Sequence, residues 1–112
     1  MHRYKVRPGY GSKNLLIEFS TSADRNVFRH DIRSVFERAG ATPADSELIG
    51  MEVFDHFNSP SGPFTLNEDD WGLFWIFAEE NQSAISLLDK HLKDDPKFDR
   101  ESADFSKYNR SF

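Results

Sequence analysis

A predicted turn that joins three consecutive carboxylates to a tryptophan concentrates binding chemistry in this 112-residue sequence. Its residues are Glu68, Asp69, Asp70 and Trp71. Tryptophan is enriched among the side chains that contribute most to protein interfaces, and carboxylates attract basic partners. We therefore predict that this turn binds a protein partner with a basic surface; in the alternative, Trp71 packs into the core at the start of the following strand. The alternating D-x-D-x-D-G frame of a calcium loop is missing here.

A second candidate site lies on one face of the predicted sheet. Period-two alternation turns Glu18, Glu52 and His56 away from the predicted helices, and Trp75 joins them if its strand presents that side. Carboxylates and histidine are common acid and base groups of enzymes, and aromatic walls suit small ligands. The alternative function is therefore a small-ligand binder or an enzyme that uses this open sheet face.

Signatures of metal binding and of known catalytic types are missing from the sequence. The four histidines, of which we expect His2 on a mobile terminus, share no spacing of three or four residues, so no metal site is predicted. Cysteine is absent, which excludes disulfides, thiolate zinc sites and cysteine nucleophiles. Neither G-x-S-x-G nor a phosphate-binding glycine loop occurs. We predict no cofactor and no catalytic residue, and so a non-catalytic module of the protein-interaction or inhibitor type.

The charge is divided along the chain. Residues 1–44 carry a net +4 and residues 45–112 a net −9, which together give −5. A net acidic chain gains little from the counterion release that drives nucleic-acid binding, so no nucleic-acid partner is predicted. The longest apolar run, Leu73 to Ala78, is too short to span a bilayer, and the first residues contain no apolar signal segment. These features predict no membrane partner and a cytoplasmic location.

Three arginines form a row on the first predicted helix. Arg25, Arg29 and Arg33 follow one another at intervals of four residues, so they project from one side. Arginines in a row can hold phosphate or carboxylate groups. The other interpretation is a solvated outer face that neighbouring acids partly neutralise.

Apolar spacing and turn residues divide the chain into elements. Strands are predicted at Asn14 to Ser20, Glu47 to Phe57 and Leu73 to Ala78, and helices from Ser22 to Gly40 and from Asn81 or Ser83 to Asp95. Short strands at Tyr4 to Val6 and Phe64 to Leu66 are further alternatives. The predicted core is Leu15, Ile17, Phe19, Phe28, Ile32, Val35, Phe36, Met51, Val53, Ile76 or Trp75, Ile85, Leu88 and Leu92.

This order predicts an α+β two-layer sandwich with the ferredoxin-like arrangement β-α-β-β-α, a mixed or antiparallel sheet and both helices on one face. Residues 1–96 would form the single domain. Residues 97–112 would be a tail that adds a strand, packs on the domain or frays. An uncovered second sheet face would expose an apolar patch. Its cover would be the aromatic residues of the tail, a second copy in a homodimer, or another partner.

Overall fold

The computed structural model describes residues 1–108, which form one seven-stranded mixed sheet and two α-helices. The strands are β1 (His2–Pro8), β2 (Leu15–Ser20), β3 (Thr42–Ile49), β4 (Glu52–Asn58), β5 (Phe64–Glu68), β6 (Phe74–Phe77) and β7 (Phe98–Arg100). The helices are α1 (Arg25–Arg38) and α2 (Gln82–Lys93). The spatial order is β3-β4-β5-β6-β2-β1-β7, and every neighbouring pair is antiparallel except β1 and β7, which are parallel.

The ferredoxin-like prediction is wrong, because seven strands replace the four of that arrangement. The segment predicted as one strand, Glu47 to Phe57, is in fact the end of β3, a turn and β4. Gly50 has a φ of +63° and Met51 has a negative φ, so Gly50-Met51 forms a two-residue hairpin turn of the type that begins with glycine. Period-two alternation continued through this turn in the sequence, which concealed it.

The first helix is confirmed, with a different start. Asp24, not Ser22, is the N-cap residue, and its carboxylate accepts the backbone N–H of Asn26. At the other end Gly40, with a φ of +79°, stops the helix as the sequence predicts. The second helix is also confirmed and ends shortly before Pro96. Within residues 1–108, neither helix is long and apolar enough to cross a membrane.

Both helices cover the same face of the sheet, which we call the helix face. Alternate residues of most strands meet the helices there, whereas every residue of β3 is exposed. Most of the predicted core is buried, but Leu15 and Val53 are half-buried, and Met51 is 78% exposed because it lies in the β3–β4 turn and not in a strand. We call the other side the open face; its side chains include Lys5, Glu18, Trp75 and Phe54, which the register places in one row across the strands.

The carboxyl-terminal segment adds a strand and then returns along the sheet. β7 pairs with β1, and its Phe98 is buried on the helix face, not on the open face. A short 3₁₀ helix, Phe105–Tyr108, follows, and the Tyr108 carbonyl accepts the backbone N–H of Gly11 at 2.9 Å. Phe112, one of the aromatic residues predicted to cover the sheet, lies outside the described residues.

Candidate functional site

The turn between β5 and β6 is built around one carboxylate. Oδ1 of Asp69 accepts the backbone N–H groups of Trp71 and Leu73, both at 2.9 Å. Oδ2 of Asp69 accepts the indole N–H of Trp75 at 3.0 Å. The Asp69 carboxylate therefore fixes the turn, and Trp71 at its tip is 87% exposed. The alternative in which Trp71 packs into the core does not occur.

Glu68, the first residue of the predicted binding turn, points to the helix face and is 8% exposed. Its carboxylate accepts hydrogen bonds from Arg25 at 2.6 and 2.8 Å and from Arg29 at 2.6 Å. Arg29 also donates to Asp55 of β4 at 2.9 Å. Two of the three arginines in the row therefore bind carboxylate groups, as the first interpretation of the row allowed, but these carboxylates belong to the protein's own sheet.

The same contacts predict how acid affects the fold. Hydrogen bonds from Arg25 and then Arg29 hold the pKa of Glu68 at about 2, below its usual 4.5, and the hydrogen bond from His2 does the same for Asp31, from 3.8 to about 2. Because both pKa values are lowered by folding, their stabilisation is complete above the unfolded values and is lost as the pH falls toward 2. We expect the free energy of unfolding to drop over this range.

A Glu68→Gln variant provides the check. Its deficit in unfolding free energy, on the order of 2 kcal/mol at neutral pH, should shrink to less than about 1 kcal/mol near pH 2, where Glu68 is about half protonated in the native protein and fully protonated in the unfolded chain. Urea titrations at several pH values measure this. A deficit that stays constant down to pH 2 would show that Glu68 stabilises the fold without its charge.

A second turn lies at the same end of the sheet. Val53 of β4 pairs with Glu68 of β5, so the β3–β4 turn and the β5–β6 turn protrude side by side, about 10 Å apart. Leu48 and Ile49 at the end of β3 and Met51 in the turn are all exposed. We call the surface formed by Leu48, Ile49, Met51, Trp71 and Leu73 the tip surface.

Exposed apolar side chains are distributed unevenly over the molecule. Nine large hydrophobic side chains are exposed in the described part of the chain, and five of them form the tip surface. Met1 and Val27 lie farther along the same end, where β1 begins and β2 leads into α1. Only Tyr10 and Phe105 lie at the opposite end. Leu48 and Ile49 point to opposite faces of the sheet, so the tip surface extends around the end of the sheet. Single exposed apolar residues are ordinary, whereas large groups of them are typical of interaction surfaces.

Sequence reasoning placed Trp71 at a binding surface and missed three of its neighbours, Leu48, Ile49 and Met51. The available signal was Gly50 followed by Met51 between apolar residues, since glycine at the first position is typical of a two-residue hairpin. Of the predicted binding residues, Asp70 is exposed beside Trp71, whereas Asp69 and Glu68 already bind groups of the protein.

The four residues of the alternative ligand site do not converge. Glu18 and Trp75 are neighbours on adjacent strands, but the Glu18 carboxylate accepts the Nε–H of Arg7 at 2.7 Å. His56 is two strands away from Trp75 and contacts Thr65 at 2.7 Å; Glu52 lies at the far end of β4. A depression of about 350 Å³ beside His56 includes none of the other three.

Aromatic rings enclose the Arg7 side chain on the open face. Its side chain is 6% exposed, and its guanidinium carbon lies 4.4 Å from the ring centre of Tyr108 and 5.2 Å from that of Trp75. Tyr10 lies near it on a further side, at 5.5 Å. Cation–π contacts and the Glu18 ion pair thus fix one corner of the open face to the 3₁₀ helix.

His2 is not on a mobile terminus. It is 2% exposed, packs against Phe28 and Phe98, and contacts Oδ2 of Asp31 at 2.8 Å and Oγ1 of Thr21 at 2.7 Å. Because the Asp31 carboxylate only accepts, Nε2 of His2 carries the proton in that bond. The order Thr21, His2 and Asp31 resembles the hydroxyl, imidazole and carboxylate of a catalytic triad. However, Oγ1 of Thr21 also accepts the backbone N–H of Ala23. We interpret the network as a structural tie between β1 and α1.

The chain matches no protein family, and comparisons with curated proteins and with solved structures return no similar chain.

Proposed function

We propose that this protein is a non-catalytic interaction module, of the kind that binds or inhibits another protein, and that it binds through the tip surface. The observation that carries the proposal is the gathering of five exposed large apolar side chains on two adjacent turns, with Trp71 at 87% exposure. Tryptophan is, with tyrosine and arginine, enriched among the residues that contribute most of the binding energy in protein interfaces. The Asp69 hydrogen bonds fix this turn before binding, so little conformational entropy is lost on association.

The shape of the tip surface favours a protein partner over a small ligand. Small-ligand sites are concave, whereas these two turns protrude and would fit a groove or an apolar pocket on a partner. A partner with a basic rim is favoured because Asp70 and Glu52 adjoin the apolar side chains. The same carboxylates disfavour an anionic membrane surface and nucleic acid. The location that we propose for the protein is cytoplasmic.

Substitution of one exposed aromatic residue at each end of the molecule tests the proposal. A partner captured by the wild-type chain from cells of its source should bind Trp71→Ser at least about 30-fold more weakly, since a central interface tryptophan contributes about 2 kcal/mol or more. Phe105→Ser removes another exposed aromatic ring, at the opposite end of the molecule, and should leave the affinity within about twofold. Isothermal titration measures both affinities.

Neither substitution should destabilise the fold, because both side chains are exposed. Thermal unfolding of the two variants is the control. A captured partner that binds Trp71→Ser as tightly as wild type would show that the tip surface is not the binding site.

A further inference from the structure

The open face of the sheet is apolar in the middle and oppositely charged at its two sides. Leu16, Phe54, Trp75 and Phe77 are partly exposed at its centre. The β1 side carries Lys5 and Arg3, which lies 4.0 Å from Glu101, and the β3–β4 side carries Glu52 and Glu47, which lies 3.1 Å from Nε2 of His56. Arg7 and Glu18 lie between these two sides, and the opposite charges of this ion pair cancel. Neither Lys5 nor Glu52 has an ion-pair partner within residues 1–108.

One row of the open face shows this arrangement residue by residue. The register connects Lys5 to Glu18, then to Trp75, Asn67 and Phe54, and finally to Glu47, so the row crosses six strands. Its two ends, Lys5 and Glu47, are about 24 Å apart at five strand spacings. The midpoint of the row lies between β6 and β5.

We propose that the open face binds the open face of a second copy of this chain. A twofold axis that runs along the strands between β5 and β6 places each end of the row over the opposite end of the partner's row. Lys5 of each copy then meets Glu47 of the other, so both contacts are attractive. A twofold axis across the strands would instead place Lys5 over Lys5, which is repulsive. The charges therefore select the first arrangement.

The available area agrees with a dimer of moderate affinity. Six strands at a spacing of about 4.8 Å, with a mean length of about 20 Å, present about 600 Å² per copy, or about 1,200 Å² in total, which is at the lower limit of specific interfaces. Trp75 and Phe77 lie near the axis, where the two copies would exclude water from them. Tyr108 covers Arg7 at one corner of this face, and the Arg7 guanidinium also contacts Trp75, so the second copy would meet Tyr108 at the edge of the contact.

This arrangement has a consequence for the tip surface. A twofold axis parallel to the strands keeps the ends of both sheets on the same side of the dimer. The two tip surfaces, one around each Trp71, would then face the same direction, and a partner with two binding sites would gain effective affinity from the pair.

Charge reversal with reciprocal repair tests the dimer. In sedimentation experiments on the full chain, wild type should be largely dimeric at about 100 µM. Lys5→Glu alone and Glu47→Lys alone should each weaken the dimer at least about tenfold, and the double variant Lys5→Glu/Glu47→Lys should return to within about threefold of wild type. Lys90→Glu, the same charge change on α2, should have no effect.

Three results would overturn the inference: a wild-type chain that is monomeric at this concentration, a dimer that tolerates Lys5→Glu, or a double variant as weak as the single variants. Far-ultraviolet circular dichroism confirms that each variant is folded. Trp71→Ser should leave the dimer intact, so the dimer and the tip surface can fail independently.

Discussion

Replacing Phe28 with alanine is expected to lower the free energy of unfolding by about 3 to 5 kcal/mol. The Phe28 ring is fully buried, and its centre lies 4.3 Å from that of Phe74 and 5.1 Å from those of Phe19 and His2. It therefore connects α1 to three strands, and its removal leaves a cavity that rigid neighbours cannot fill. Urea unfolding followed by circular dichroism measures the loss.

Val27→Ala is the matched control for this substitution. Val27 precedes Phe28 on the same helix and is exposed, so its truncation should cost less than about 1 kcal/mol. If Phe28→Ala cost no more than Val27→Ala, α1 would have to face the sheet with a different side.

Arg29→Met is expected to lower the free energy of unfolding by about 2 to 4 kcal/mol. Methionine keeps much of the volume, but it removes the charge that contacts Asp55 and Glu68, which are 20% and 11% exposed in their side chains. Breaking a buried ion pair by removing one partner typically costs about 3 to 5 kcal/mol, and the partial exposure here reduces that figure. Loss of the cation–π contact with Phe74 adds to the effect.

Arg33→Met, one turn farther along α1, provides the comparison. Arg33 is exposed and its loss should cost less than about 1 kcal/mol. Guanidinium chloride is a salt, so it would screen the ion pairs of Arg29 while it unfolds the protein. Urea is uncharged and is therefore the appropriate denaturant. Equal effects of the two substitutions would mean that the Arg29 contacts are no stronger than surface ion pairs.

The helices could be predicted from sequence because their evidence is local. Period 3.6 spacing from Phe28 to Phe36, with Gly40 and Pro43 beyond, determines α1 without knowledge of the rest of the chain. The direction of the polar side chains could not be predicted in the same way. Arg29 meets Glu68 across 39 positions in sequence, and only the sheet topology brings the two together.

The number of strands was predicted wrongly for a related reason. Apolar residues continue at every second position across Gly50 in the sequence, so the turn is not visible there, although the register pairs Ile49 with Glu52 and places Ile49 and Val53 on opposite faces. The tip surface depends on that turn and on the pairing of Val53 with Glu68. Trp71 could therefore be named as a candidate binding residue from the sequence. The other residues of the tip surface could be identified only from the register of β3, β4, β5 and β6.

Binding through the tip surface is tested most directly by site-specific photo-cross-linking in cells of the source. A photoreactive phenylalanine analogue at position 51 or 73 should cross-link the full chain to one and the same protein, because both positions lie on the tip surface and Trp71 stays in place. The analogue at Ser86, an exposed position on α2, should give no such product. Cross-linking of that protein from position 86 but from neither tip position would contradict the proposed function, and so would the absence of any product at positions 51 and 73.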